Sequence, residues 1–482
     1  MTTEKQAAIA AIEEKAELVA RVADQIWSFA ELSLQEEQSA DLYCQVLEQE
    51  GFTVERGISN IPTAFSASYG SGRPIIGLLA EYDALSGLSQ KGGSLERQEL
   101  IPGGCGHGCG HNLLGAGALA AALGVKAYLE ATGAPGTVVL FGCPGEEGGA
   151  SKAFMARDGV WKDLDAALTW HPSDVNQVTS GTCNSCIQTE YIFKGVASHA
   201  SGAPEFGRSA LDAVEVMNMG VQFLREHMPD SARIHYAITD AGGNSPNVVQ
   251  PHARVLYMVR SKLAKDALAL QARVDKIAQA AAMMTETEVR QQFIDGCSNT
   301  VPNRVLEQLL WDNFDQVGVD TYTPEEMEYA KKIMDSYEMK SDRLPGAACD
   351  EDEAIAAFVD EKSQHGTRPM NDFLIPYHYS DRQRAGSTDV GDVSWLTPTA
   401  QINAASFVSK APGHSWQNVS CGHTSIGHKS VITAGKVLAA TAMDLYEKPE
   451  ILKAAREEFE KKTAGGYYCP VPADAVPVVP GQ

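Results

Sequence analysis

Two short apolar runs, PIIGLLAEYDAL (Pro74 to Leu85) and GTVVLFGCPGEEGG (Gly136 to Gly149), flank an alanine-rich stretch, LLGAGALAAALGVKAYLEA, and this order constrains the fold more than any other feature of the chain. Apolar runs that end in glycine or acidic residues are the pattern of buried parallel strands whose C-terminal ends carry function. The stretch between them reads as a buried helix. A third such strand is DAALTWHP (Asp165 to Pro172), and strands alternating with helices predict an α/β domain with a largely parallel sheet. Ahead of it, Ile9, Ile12, Leu18, Val19, Val22 and Ile26 recur at helical spacing from Glu4 to about Phe29. A second helical pattern runs from Ser39 to Glu50 and stops at Gly51.

After Gly181 the texture changes. CIQTEYIFKG and ARIHYAIT alternate, SALDAVEVMNMGVQFLREH is helical, ARVLYMVR reads as a strand, KDALALQARVDKIAQAAAMM as a helix and TEVRQQFID as a strand. The order β-α-β-β-α-β is that of a split βαβ, ferredoxin-like unit inserted at 186–297, which leaves 1–185 and 298–482 as one discontinuous α/β domain. Two or three domains suit 482 residues at a prior of ~150 residues each. The stretch from Thr321 to Gln383 is charged and reads as a loop-rich insertion, and the Pro-rich last 19 residues, AGGYYCPVPADAVPVVPGQ, as an extended tail. No internal repeat is found.

Composition excludes some roles. The N-terminus carries charges through its apolar positions, so it has neither a signal-peptide core nor a membrane span, and a cytoplasmic location is expected. Ten cysteines without a regular framework are then expected to be reduced. A net charge of −23 repels phosphate backbones and anionic bilayers, which argues against nucleic-acid and membrane partners but not against an anionic small substrate.

The chemistry concentrates in PGGCGHGCGHNLLGAG (Pro102 to Gly117), where Cys105, His107, Cys109 and His111 are spaced by glycines. A structural zinc site normally draws its ligands from two separated pairs, so one short loop is a poor candidate for wrapping a single ion. A catalytic site needs fewer ligands from one loop and keeps a position open for water. In the CGH core the intervening glycine lets the backbone turn so that both side chains face one ion. Adjacent carboxylates, Glu146 and Glu147, follow a strand and repel each other unless a cation or a shared proton intervenes. His171 ends a strand too hydrophobic to leave a histidine incidental, and APGHSWQ and GHTSIGH add His414, His423 and His428.

The segments HGCGHN, PGEEGG, TWHP, GVASHA, SPNVVQP, GSTDVGDVSW and PGHSWQ, in this order over most of the chain, closely resemble the M20 family of metallo-amidohydrolases. The likeness is to the branch of aminoacylases, indole-acetyl-amino-acid hydrolases and p-aminobenzoyl-glutamate hydrolases. It implies a two-metal centre liganded by Cys109, His111, Glu147, His171 and His414, with Glu146 as general base. It makes His107 a non-ligand, gives Cys105 no counterpart, and suggests that Asp83 orients His111. It also implies that His199 stabilises the oxyanion in the site of a neighbouring chain and that Asn247 and Arg260 hold the substrate carboxylate. Ser387 and Asp389 match a Ser-acid-Asp segment in which Thr388 replaces the usual Glu, and a long polar insertion precedes PGGCGHGCGH.

The expected protein is therefore an α/β zinc-peptidase-like catalytic domain (1–185 and 298–482) carrying a ferredoxin-like lid and dimerisation domain (186–297). The expected reaction is metal-dependent hydrolysis of an N-acyl amino acid, p-aminobenzoyl-glutamate first, with an indole-acetyl conjugate or an unusual dipeptide as alternative. Ligand softness favours zinc, whereas the resemblance leans to manganese. The expected assembly is a homodimer or a hetero-oligomer with a homologous but different chain, and a non-catalytic role, stabilising such a partner, is the rival reading.

Overall fold

The computed structural model describes residues 2–338 and 341–479. Eleven strands among them form two sheets: β1 (Thr53–Arg56), β2 (Phe65–Ser71), β3 (Ile75–Ala80), β4 (Gly136–Gly142), β5 (Ala166–Ser173), β6 (Gln177–Thr179), β7 (Ser185–Lys194), β8 (Arg233–Asp240), β9 (His252–Ser261), β10 (Glu288–Cys297) and β11 (Thr399–Ala405). The larger sheet has the order β1-β2-β4-β3-β5-β11-β6. Its centre, β4-β3-β5-β11, is parallel as expected, while β1, β2 and β6 join antiparallel, so the sheet is mixed.

Alternation along the central strands divides two cores. Ile76, Leu78, Val138, Leu140, Leu168 and Trp170 face one layer of helices, and Leu79, Phe141 and Ala167 face the opposite layer. The first layer is dominated by helices His111–Thr132 and Ser425–Glu447, packed on each other. His111–Thr132 is long and apolar enough to cross a membrane, but it is buried in this core. A Cβ on Gly117 would stand 2.4 Å from Trp170 Nε1, so glycine is what lets this helix close on the sheet. The N-terminal helical pattern is two helices, Thr3–Glu14 and Ala16–Phe29, broken at Lys15; the break lets each segment pack on His111–Thr132.

The smaller sheet has the order β10-β7-β9-β8 and is antiparallel throughout. Helices Ala210–Arg225 and Ala264–Thr285 cover one face, where Tyr191, Phe193, Val255, Tyr257 and Val259 are buried. The segment between Thr321 and Gln383, expected to be loop-rich, contains helices Pro324–Asp335 and Glu353–Lys362. Thr323 and Glu326 form a capping box with Pro324 at the first turn, and the Asp352 side chain caps the second helix, so local capping outweighs the high charge. The tail, expected to be extended, is irregular over its described part, 464–479, with a turn closed by the Ala475 amide on the Pro472 carbonyl, and it is docked: Tyr467 donates to Asp392 at 2.7 Å and Val471 is buried. Residues 480–482 lie outside the described residues.

Candidate metal centre

The parallel strands deliver the chemistry at their C-terminal ends. Glu81 and Asp83 follow β3, Glu146 and Glu147 follow β4, His171 sits near the end of β5, and the loop after β11 carries His414. Cys109 and His111 straddle the N-terminus of helix His111–Thr132, with Gly110 as its N-cap at φ 84°. That left-handed conformation is cheap only for glycine, and a Cβ there would stand 2.7 Å from Phe407 Cζ. His414 also has positive φ, 52°, a strained value for a histidine.

Two groups of donor atoms share one sulfur. Cys109, His111 and His171 form the first, and Cys109, Glu147 and His414 the second; within each group all ligand atoms lie within 4.8 Å of one another. Cys109 Sγ is 3.4 Å from His171 Nε2, and His414 Nε2 is 3.3 Å from Glu147 Oε1. The second nitrogens of two imidazoles are already committed. His111 Nδ1 bonds Asp83 Oδ1 at 2.7 Å and His171 Nδ1 bonds the Pro172 carbonyl at 2.8 Å, which aims both Nε2 atoms inward. His111 Nε2 and Glu147 Oε1 are buried and make no well-formed hydrogen bond; their neighbours are Glu81 Oε2 at 3.4 Å and His414 Nε2 at 3.3 Å. Buried atoms so loosely paired, within a set of thiol, imidazole and carboxylate donors, fit a pair of divalent cations.

The electrostatics agree. Burial alone raises the Cys109 thiol, but His171 and His111 outweigh it and hold the sulfur well below the ordinary thiol range, as a metal ligand requires. His414 is pushed up to about 10 by Cys109 and Glu147. Glu146 forms a third group with Glu81 and His111, again with donor atoms within 4.8 Å, and burial together with the Glu81 charge raises its carboxyl well above the usual range. A carboxylate so raised is a better proton acceptor.

Glu146, Glu147 and His414 open onto a cleft of about 460 Å³ whose far wall is the uncovered face of the smaller sheet, with Gln188, Met258 and Arg260. Arg260 donates to Ser387 Oγ at 2.8 Å. Asn247 and His199 are elsewhere. Both are exposed and lie on adjoining segments, joined by a bridge between His199 and Val248 and by the Ala200 amide bonded to the Asn247 carbonyl at 3.0 Å. Neither lines the cleft of its own chain.

Other candidates fall outside the cluster. His107 is buried with Nε2 on the Ile26 carbonyl at 3.0 Å, and burial lowers it to about 4, a packed histidine. His423 and His428 both pair with Asp24, at 2.7 and 2.8 Å. Sequence reasoning missed Glu81 and Lys152. Fully buried Lys152 holds Glu81 at 2.8 Å and Asp389 at 2.6 Å. Spacing offered a signal for Glu81, since it alternates with Asp83 after an apolar strand; a lysine in a first helical turn offers none.

A family model described as peptidase family M20/M25/M40 matches residues 77–377. The chain is 44% identical, over 97% of its own length and 97% of the relative's, to one of the named subunits of p-aminobenzoyl-glutamate hydrolase from Escherichia coli (strain K12). Among solved structures it is similar in fold to an aminobenzoyl-glutamate utilization protein from Klebsiella pneumoniae, with TM-score 0.56 and 15% identity over 89% of this chain and 96% of that one. A dinuclear metal-binding peptidase from Bacillus subtilis gives TM-score 0.52 and 15% identity over 90% and 99%.

Proposed function

The chain belongs to peptidase family M20/M25/M40 and is a metallo-amidohydrolase, and from that premise we propose that it hydrolyses N-acyl amino acids, p-aminobenzoyl-glutamate first among them, to the acid and the free amino acid. One observation carries the reading: two three-donor groups meeting at Cys109, beside Glu146 and in a cleft that also holds Arg260. The relative named for p-aminobenzoyl-glutamate supports the choice of substrate.

Cys109, His111, His171, Glu147 and His414 would hold two divalent ions, manganese or zinc. Such a pair supplies Lewis acidity toward water and the scissile carbonyl. Glu146 takes the proton of the attacking water on its carboxylate and returns it to the departing nitrogen. Arg260 exchanges its Ser387 contact for the carboxylate of the amino acid, which its fork pairs bidentately. The Nδ1 of His199 accepts from the Ser201 and Gly202 amides at 3.2 and 3.0 Å, so a neutral His199 carries its proton on Nε2 and can donate to an oxyanion. Because His199 and Asn247 are exposed, we assign them to the site of a neighbouring chain.

Residues 186–297 would then be the lid and the docking surface. The edge strand β8 leaves Tyr236 and Ile238 exposed, and helix Ala210–Arg225 exposes Met219 and Phe223. An open strand edge beside apolar side chains supports docking of a second chain. That chain is a second copy or, since the relative is named as one subunit of its enzyme, a homologous but different partner in the cytoplasm.

The test is a panel of p-aminobenzoyl-glutamate, indole-acetyl-aspartate and dipeptides. It is assayed with the chain alone and with a homologous partner, each loaded with Mn²⁺ or Zn²⁺. Cleavage of p-aminobenzoyl-glutamate above the others is expected; preference for another amide would move the assignment within the class. Loss of activity in Arg260→Ala confined to the Michaelis constant, and absent for an amidated analogue, is the matching result for the carboxylate contact.

A further inference from the structure

The carboxylate pair is held from behind by a segment with no assigned role. Residues 31–36 run beside the end of β3, with Leu32 bridged to Ala84 and the Ala84 amide on the Glu31 carbonyl at 2.7 Å. From there Ser33 Oγ donates to Asp83 Oδ2 at 2.8 Å, the same oxygen that receives the Glu147 amide at 2.9 Å. Glu36 is fully buried, and its Oε1 accepts from the Gly145 amide at 2.8 Å and from the Leu34 amide at 3.0 Å. Its Oε2 lies 3.2 Å from Thr63 Oγ1. The Leu34 side chain, on a backbone at φ 63°, fills the space over Gly145 and Gly149, where added Cβ atoms would meet it at 3.0 and 2.7 Å.

The hydrogen-bond partners of Glu36 are two amides and a hydroxyl, with no cation among them. All three donate to it, Leu34 and Gly145 to Oε1 and Thr63 Oγ1 to Oε2, so both oxygens of this buried carboxyl serve as acceptors. Burial and the Asp83 charge push the Glu36 carboxyl up to about 8.

We propose that Glu36 is a positioning residue for catalysis: a buried acceptor, tied to the Gly145 amide, that fixes the loop carrying Glu146 and Glu147, while Ser33 and Asp83 fix the Glu147 amide and the His111 ring. It acts through that loop and touches neither metal nor substrate. The inference rests on the reading of Glu146 as base and Glu147 as ligand.

The test compares Glu36→Met, which fills the space but leaves the Gly145 amide unpaired, with Glu36→Gln, which keeps an acceptor and a donor at the same reach. Thermal unfolding and titration of the metal-free protein with Co²⁺ alone accompany the kinetics. A loop displaced by about 1 Å lowers kcat on the order of 10²-fold. The expected result is that loss in Glu36→Met with the Michaelis constant nearly unchanged, a shifted Co²⁺ absorption spectrum, and recovery of both in Glu36→Gln. A folded Glu36→Met with unchanged spectrum and turnover overturns the proposal, as does Glu36→Gln behaving like Glu36→Met. Should the methionine variant not fold, Glu36→Asp, which withdraws the acceptor by one methylene, takes its place under the same criteria. The Co²⁺ spectrum requires no substrate, so an error in the proposed substrate leaves this result readable.

Discussion

Cys109 is the residue on which the two donor groups depend, since it is the one member common to both. Replacing its sulfur by a hydroxyl removes a soft donor whose ionisation His171 and His111 favour. Cys109→Ser is therefore expected to lose metal and activity together, checked by elemental analysis beside turnover; full metal content with unchanged turnover would remove Cys109 from the centre. The neighbouring carboxylates should separate. Glu146→Gln keeps the metal and binds substrate yet turns over at least ~100-fold more slowly, because proton transfer is lost. Glu147→Gln loses metal instead, and equal metal loss in both variants would contradict the division. At this scale the motif residues were legible because chemistry-bearing types crowd into short segments. Glu36 and Lys152 were not, because each draws its meaning from a partner far away in sequence. Lys152 and Asp389 are such a pair, and so are Glu36 and Gly145.

Among the elements, the parallel strands and the buried helix between them could be read from uniform apolar runs, and their ends bring the site together. What the periodicity could not reveal was a matter of ends and edges. Lys15 breaks one helical pattern into two, and β1, β2 and β6 join the sheet in antiparallel pairs. A capping box and an aspartate cap start helices in a segment whose charge suggests loops. The tail holds to Asp392 through Tyr467 and to Arg157 through the Pro472 and Ala475 carbonyls, contacts that composition does not announce. The start of helix His111–Thr132 is the element most exposed to a test. Gly110→Ala forces a left-handed alanine, at a cost of about 1–2 kcal/mol, and drives its Cβ against Phe407 and Pro172. A lowered melting temperature is expected together with weakened metal binding, since Cys109 and His111 flank the position. If the melting temperature falls while metal affinity is kept, the turn serves the fold and does not align the ligands.

For the whole molecule, the proposed function makes the cleft one that a neighbouring chain completes. It holds the metal donors, Glu146 and Arg260, while His199 and Asn247 stand exposed on the unit that also presents the open edge of β8 and the apolar residues Met219 and Phe223. An exposed histidine whose Nδ1 is fixed by two amides has a defined donor in Nε2, and it does not line the cleft of its own chain. If the donor is aimed at a neighbour's oxyanion, His199→Ala lowers turnover by ~10²-fold or more and leaves metal content intact. The arrangement across chains can then be read by mixing. In a dimer of one His199→Ala chain and one Glu146→Gln chain, both defects fall in the same composite site, because each site takes its base from one chain and its histidine from the other. The second site then has wild-type Glu146 and wild-type His199, so mixed dimers recover activity that neither parent shows, up to half of the wild-type value per dimer. A chain that uses its own His199 puts one defect in each site, and mixing recovers nothing. Exchange between dimers, followed with differently tagged chains, decides which case a silent mixture represents.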